Sequence, residues 1–555
     1  MKLIDSIVIT RFPLRLASIF MLIWAQLGCQ HAPIKFTPSA PPNLPSFTAL
    51  PLAPKVAPLK ANAMQAPQTT QLTENSFLHQ WPLNENNHNQ QPDQQANSLY
   101  FIGISKSTPI ANPDILVAAF KQHRKAITNN EDLTNLEASC YDSMRFRASL
   151  HSIGITISCF APTAVKSNLL WQFWDKGVLD EVNIDSIQRS LKLNKHIGAF
   201  TGAEIDTVFR KKLLGEQHPY NQNIDNNAII NELNKAKLST LHLQIRSQMQ
   251  WHLFTPQQAS LAAHADVEKA QPANFFPSWL TEYSPNSSLS TEKRFNNQQS
   301  NAEEANAEEF GSYEANSYKA SSEKAKTEKT LYLIDAPNTV QTQVRVGVLT
   351  ESSGYQSQNA NSCKIIAALL GRGYSGRLFY DLRETRGLTY GVYGGCVDAP
   401  LSQYMYFYGS TALANSGAFL KGMTDHLALI SEQLTPQQEI NSAATYLIGK
   451  QQLTIDRPFG KESLYINQIL RNKALKNKQP LAQQLKNQAL ENQASAEFDQ
   501  GLMQLSKLTP QELLVMTQTA TLNDPVIVLR GDADKITIDL QQKFPTWQIK
   551  LVEVN

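Results

Sequence analysis

The sequence carries almost no excess of charge. Its 50 Lys and Arg residues are met by 48 Asp and Glu residues, for a formal net charge of +2 over 555 residues. A chain without a basic surplus has no electrostatic footprint for nucleic acid. Cysteine is scarce. The five are Cys29, Cys140, Cys159, Cys363 and Cys396, and none forms a Cys-x-x-Cys pair, which removes that redox and zinc signature. Gly-x-Ser-x-Gly is absent, since Gly373, Ser375 and Gly376 miss its spacing by one residue. No Walker loop occurs, and Gly371 and Gly373 alone are too short for a dinucleotide fingerprint. Apolar runs are short. The longest, Leu16 to Leu27, falls below the length of a comfortable membrane span.

That run has a context. Lys2, Arg11 and Arg15 precede it, and it ends in Gly28 and Cys29. The segment resembles a bacterial lipoprotein signal, with residues 1–28 removed and Cys29 lipidated. Gln26 stands where an aliphatic residue is usual, so a signal anchor or an ordinary cleaved signal are the other readings. The resemblance implies an exported chain, lipid-anchored in the cell envelope and facing the periplasm. The residue after Cys29 is Gln30 and not Asp, which in enteric-type bacteria usually lets such a lipoprotein go to the outer membrane, the location the resemblance implies. Disulfides are permitted in that compartment.

Composition divides the rest. Residues 29–97 are rich in Pro, Gln, Asn and Ala and read as a tether. Folded sequence is expected from the apolar run Leu99 to Ile104. A first domain follows, 98–280. Residues 142–149 and 153–160 alternate around a turn at His151 and Ser152, which predicts a hairpin. Cys140 and Cys159 flank it nearly opposite each other. A cross-strand disulfide and two buried free thiols are then equal readings, and no pairing follows for Cys363 and Cys396. Helical patterns cover 164–174, 184–193 and 204–214, and a strand is expected at 260–265 before Asp266. Residues 281–328 are Ser, Asn, Glu, Ala and Lys with almost no aliphatic side chain, a linker. A second domain, 329–555, has strand patterns at 331–334, 344–349, 404–409 and 525–529 and long helices at 416–433 and 436–454. The fold class is α+β: two related domains, each a mostly antiparallel sheet packed with helices, a weak repeat roughly 230 to 260 residues apart.

The most informative stretch runs from Leu369 to Cys396. An apolar helix pattern, Cys363 to Leu370, meets a break at Gly371 and Gly373. A second amphipathic run puts Leu378, Phe379 and Leu382 on one face. Gly387 can take the left-handed conformation that ends a helix. Leu388 to Val392 reads as a strand stopped by Gly394 and Gly395. Arg383 in the last helical turn and Tyr390 on the strand can then meet on one surface, a guanidinium beside a phenol.

This stretch resembles the second domain of the insulinase (pitrilysin) family of zinc peptidases, the inverzincins. Ser375, Arg377, Leu378 and Gly387 stand in register with the family's turn and helix, and Arg383 and Tyr390 have the spacing of its substrate-holding Arg and Tyr. The resemblance implies that Arg383 and Tyr390 bind a peptide substrate beside a zinc ion held elsewhere. The family holds zinc on a His-x-x-Glu-His helix, two imidazoles one turn apart with a Glu that activates water. None of the eleven histidines lies in such a motif. The best alignment puts Ala119 in the place of the first ligand, Gln122 in that of the base, and leaves His123. The third ligand falls near Asn194 and Lys195, where neither is a carboxylate; His196 is close by. His218, before Pro219 and Tyr220, reads as structural. No metal ligand and no catalytic residue is therefore assigned to this chain.

The resemblance implies a non-catalytic, substrate-binding subunit of a two-chain zinc metallopeptidase. This chain binds no cofactor of its own, and a zinc-bearing family subunit supplies the metal. The alternative is an envelope scaffold or peptide-sequestering protein on a peptidase-like fold.

Overall fold

The structure is a computed structural model. It describes residues 67–81 except 74, 98–105, 109–129, 133–221, 226–256 and 280 in the first half. In the second half it describes 329–350, 357–476, 505, 507–520 and 522–553. Cys29, the expected strand at 260–265 and the linker 281–328 lie outside the described residues.

The first half contains β1 (Gln68–Thr73), β2 (Ser76–Trp81), β3 (Ser98–Ser105), α1 (Pro113–Thr128), α2 (Asn135–Ser143), β4 (Arg145–Ala148) and β5 (Ser152–Ser158). Then come α3 (Thr163–Trp171), α4 (Ile184–Thr201), α5 (Ala203–Leu214), α6 (Asn226–Asn231), α7 (Lys235–Gln248) and β6 (Met249–Pro256). The second half contains β7 (Thr330–Asp335), β8 (Gln341–Leu349), α8 (Ser357–Gly371) and α9 (Arg377–Phe379), which runs into a π-helical turn (Tyr380–Thr385). It continues with β9 (Thr389–Ala399), β10 (Ser402–Ala412), α10 (Ser416–Glu432), α11 (Gln437–Ile455), α12 (Gly460–Lys476), α13 (Pro510–Thr519), β11 (Val526–Gly531), α14 (Ala533–Lys543) and β12 (Gln548–Leu551).

Each half builds one mixed six-stranded sheet, in the orders β1-β2-β6-β3-β5-β4 and β12-β7-β11-β8-β10-β9. Five strands correspond. In each sheet the first pair is parallel, β2 with β6 and β7 with β11, and the next three pairs are antiparallel. The repeat expected from the sequence is thus a repeat of topology. The sixth strands differ, because β1 is a hairpin partner of β2 whereas β12 lies parallel to β7.

This arrangement corrects the tether boundary. Residues 68–81, expected to be linker, are two strands of the first sheet. β2 alternates Phe77, His79 and Trp81 with Leu78 and Gln80, too short a signal beside its Pro- and Asn-rich surroundings. Its burial comes from pairing with β6, far along the chain. There His79 Nε2 lies 2.9 Å from His252 Nδ1, and burial lowers the His79 pKa to about 3. The hairpin exists, but α2 extends to Ser143, and the strands are β4 and β5. The disulfide Cys140–Cys159 forms. It joins α2 to the end of β5 rather than two strands. Cys363 and Cys396 also pair, tying α8 to β9.

The sheets are buried on both faces. In β3, Leu99 and Phe101 point into a core with α1, α2 and α3, while Tyr100, Ile102 and Ile104 point the other way. That second face is covered from the other domain, by Ile455, Ile466 and Leu470 of α11 and α12. The converse holds in the second sheet. Leu331, Val344, Val346 and Ile527 face the main core, whereas Ile334 and Val528 meet Ile205, Val208, Phe209 and Leu213 of α5. Each half therefore lends a helix to the outer face of the other's sheet. Arg345 pairs with Asp206 and Arg530 with Glu204 at the rim of α5.

Candidate functional site

Arg383 is placed by an irregular helix. α9 buries Leu378 and Phe379, and Arg377 beside them forms a two-point contact with Glu439, Nε to Oε1 at 2.6 Å and Nη2 to Oε2 at 2.7 Å. Both side chains are only 1% exposed, so Arg377 pins the helix and is not available to a ligand. From Tyr380 the turn widens to the π form, with Arg386 N donating to Asp381 O five residues back. Leu382 stays in the core and Asp381 stays beneath it, which turns Arg383 outward. Gly387 then takes φ +63° and Leu388 N donates to Leu382 O, closing the turn into β9. The left-handed geometry expected at Gly387 is what reverses the chain.

Asp381 anchors this turn. Burial pushes its pKa up, but His426 at 3.2 Å and Arg386 at 3.0 Å outweigh it and hold the carboxyl below its ordinary value. Arg386 carries the same charge as Arg383 three residues away, yet it is committed to this buried network.

Tyr390 is placed by a second irregularity. Val392 pairs with Gly409 and Thr389 with Thr411, so β9 has one more residue than β10 between those pairs. This is a β-bulge at Tyr390 and Gly391, closed by Thr389 Oγ1 donating to Ser410 O at 2.6 Å. Tyr390 is thrown outward and is 84% exposed. The expectation that Gly394 and Gly395 stop the strand fails, because β9 continues to Ala399. Gly394 serves close approach instead. A Cβ on Gly371 would lie 2.2 Å from Gly394 N, and one on Gly394 would strike Phe407 at 2.7 Å. Helix α8 lies against the strand there.

The two irregularities meet. The Arg383 guanidinium carbon lies 4.6 Å from the Tyr390 ring centre, 4.7 Å from that of Phe379 and 5.8 Å from that of Tyr374. Rings on the guanidinium faces leave its in-plane N–H groups for acceptors. Glu384, 3.4 Å from Arg383 Nε, is the one carboxylate paired with it among the described residues. Sequence reading put Phe379 on the apolar face of its helix only and did not pick out Tyr374, which is 77% exposed; the signal was an aromatic inside a Gly-rich turn. The arrangement can offer a peptide two donors, a charged N–H and a phenol O–H, on one exposed surface.

Among its described residues the first domain offers no comparable cluster. Ala119 is fully buried in the core face of α1 and Gln122 Oε1 is buried without a hydrogen-bond partner. His123 sits with its ring edge-on to Phe173, and burial lowers its pKa against an opposing pull from Glu181. Asn194, Lys195 and His196 are exposed on α4, which packs against α1. Among the described residues no three His, Cys, Asp or Glu side chains are grouped to hold a metal ion. His218 has a structural place. Its Nε2 lies 3.3 Å from Leu401 O, and Tyr220 OH accepts from Leu401 N, tying the first domain to the β9–β10 turn.

Residues 292–447 match the family described as the peptidase M16 inactive domain. Arg383 and Tyr390 fall inside the matched stretch. An uncharacterised zinc protease of Mycobacterium leprae is 39% identical over 95 residues, a match that spans 17% of this chain and 19% of that protein. Among solved structures, a peptidase M16 inactive domain from Pseudomonas fluorescens is 15% identical with a TM-score of 0.52, over 84% of this chain and 98% of that one. A protease from Helicobacter pylori is 11% identical with a TM-score of 0.52, over 84% and 100%. At such identities the likeness is one of fold, and it extends across both halves. Residues 292–447 are thus similar to the peptidase M16 inactive domain, and the two halves together share the fold of M16-like peptidase structures.

Proposed function

We propose that this chain is the substrate-binding subunit of a two-chain zinc metallopeptidase of the cell envelope. A partner of the same family supplies the zinc, and Arg383 and Tyr390 hold the peptide backbone against it. The contact between Arg383 and Tyr390, built by a π turn on one side and a bulge on the other, carries this reading. Ala119 and Gln122, where a ligand and a base would stand, support the assignment of the metal to the partner. Cys29 supplies the lipid anchor, and residues after it the reach from the membrane.

The test is metal analysis and reconstitution. The purified chain is expected to hold no stoichiometric zinc and to cleave no peptide alone. Mixed with a zinc-bearing family subunit from the same envelope, it is expected to raise peptide cleavage well above that of either chain. One tightly bound zinc per chain, lost on His123→Ala, overturns the division of labour. A mixture no more active than the zinc subunit alone favours the scaffold reading.

A further inference from the structure

At the other end of the second sheet lies a cavity of about 310 Å³. Lys329 precedes β7, Asn523 precedes β11 and Trp547 precedes β12, and these three strands are parallel, so their starts share one end. β9 runs the opposite way, which puts Arg383 and Tyr390 at the far end. Three lysines line the cavity, Lys329, Lys421 and Lys543, and no Asp or Glu does. Lys421 is paired along its helix with Asp425. Lys329 is held in place by neutral groups, donating to Asn523 O at 2.9 Å and lying 5.2 Å from the Trp547 ring centre. Trp547 and Phe544, 5.4 Å apart between ring centres, form an apolar wall.

We infer that this cavity binds a small organic oxyanion, a carboxylate or phosphate head on a compact apolar body. An anion seated among these ammonium groups, with no carboxylate in the cavity wall, gains charge-assisted hydrogen bonds and a favourable local potential. The volume is that of a small-ligand site, and the mixture of rings with a few placed polar groups is the usual make-up of one. The inference concerns a site remote from the peptide-binding pair and stands whether or not a zinc partner exists.

Titration calorimetry of the full chain with phenyl phosphate, benzoate and inorganic phosphate tests it. Phenyl phosphate or benzoate is expected to bind with a Kd of about 1 mM or tighter, and more weakly in high salt. Lys329→Gln and Lys543→Gln, which keep most of the side-chain stem, are each expected to weaken binding about tenfold. Lys535→Gln, outside the cavity, is expected to leave it unchanged. No heat from either organic anion up to about 10 mM overturns the site. So does binding that is indifferent to both cavity substitutions. Inorganic phosphate binding as tightly as phenyl phosphate overturns the apolar body.

Discussion

Arg383 and Arg386 show how far charge alone misleads about a residue. One lies on three aromatic rings at the surface; the other is bonded to a buried carboxylate. Their substitutions are expected to differ in kind. Tyr390→Phe keeps the ring against Arg383 but removes the phenol donor. It is expected to leave the melting temperature unchanged and to lower turnover of a reconstituted pair about 10²-fold, the worth of a donor that acts in the transition state. Arg386→Ala strips Asp381 of one partner and is expected to cost about 1–3 kcal/mol of stability, read by urea unfolding. Full turnover in Tyr390→Phe removes the transition-state role. Asp381 also sets a pH signature. Its folded pKa is the lower one, so its stabilisation is complete above the unfolded value near 3.8 and is lost as pH falls through the folded value.

At the scale of the element, the site depends on two departures from regularity, one extra residue in a helical turn and one in a strand. Both are held by what lies behind them. Helix α8 presses on β9 where Gly371 meets Gly394, and Cys363–Cys396 staples the same two elements. Gly371→Ala puts a methyl 2.2 Å from backbone. The chain cannot yield there without moving β9. The substitution is expected to cost several kcal/mol, at or above the roughly 1–3 kcal/mol usual for overpacking, and to expose Tyr390's strand to amide exchange. Gly387→Ala meets nothing within 4 Å, so only the left-handed backbone is strained, a cost of about 1–2 kcal/mol. Equal losses in the two variants would show that the α8–β9 contact does not hold the strand.

At the scale of the whole molecule, the exchange of helices makes the halves interdependent. Phe209 belongs to the first domain by sequence but fills the outer face of the second sheet. Phe209→Ala is expected to cost about 3–5 kcal/mol, with amide protection lost in β8 and β11 rather than in the first sheet. Ile466→Ala is expected to loosen β3 and β6 in the same reciprocal way. Loss confined to the substituted helix's own domain would contradict the exchange. Buried histidines add an acid limit on the fold. Burial lowers His151 and His242 to about 4 and His79 to about 3. The unfolded chain takes up protons near 6.5 and the folded chain does not, so stability is complete above 6.5 and falls as pH drops toward the folded values. Within that window each such histidine removes about 1.4 kcal/mol per pH unit. The melting temperature is expected to fall by several degrees between pH 7 and pH 5, and less in His242→Gln.

The sequence by itself determined whatever is written locally. Apolar period and Gly or Pro punctuation located the helices of α4, α5, α10 and α11, the strands of the second sheet other than β12, and the chain reversal at Gly387. Short-range spacing put Arg383 and Tyr390 within reach of each other. The tertiary structure decided what depends on residues distant in the chain. Residues 76–81 became a strand because β6 lies beside them, residues 68–73 paired with that strand in turn, and β9 ran through Gly394 because a helix and Phe407 needed its missing Cβ. Cys363 found Cys396 only when α8 crossed β9. Arg386 lost its likeness to Arg383 once Asp381 was buried beneath it. Helix α5 is amphipathic in either setting; which sheet its apolar face covers is a matter of packing, and periodicity carries no record of the partner.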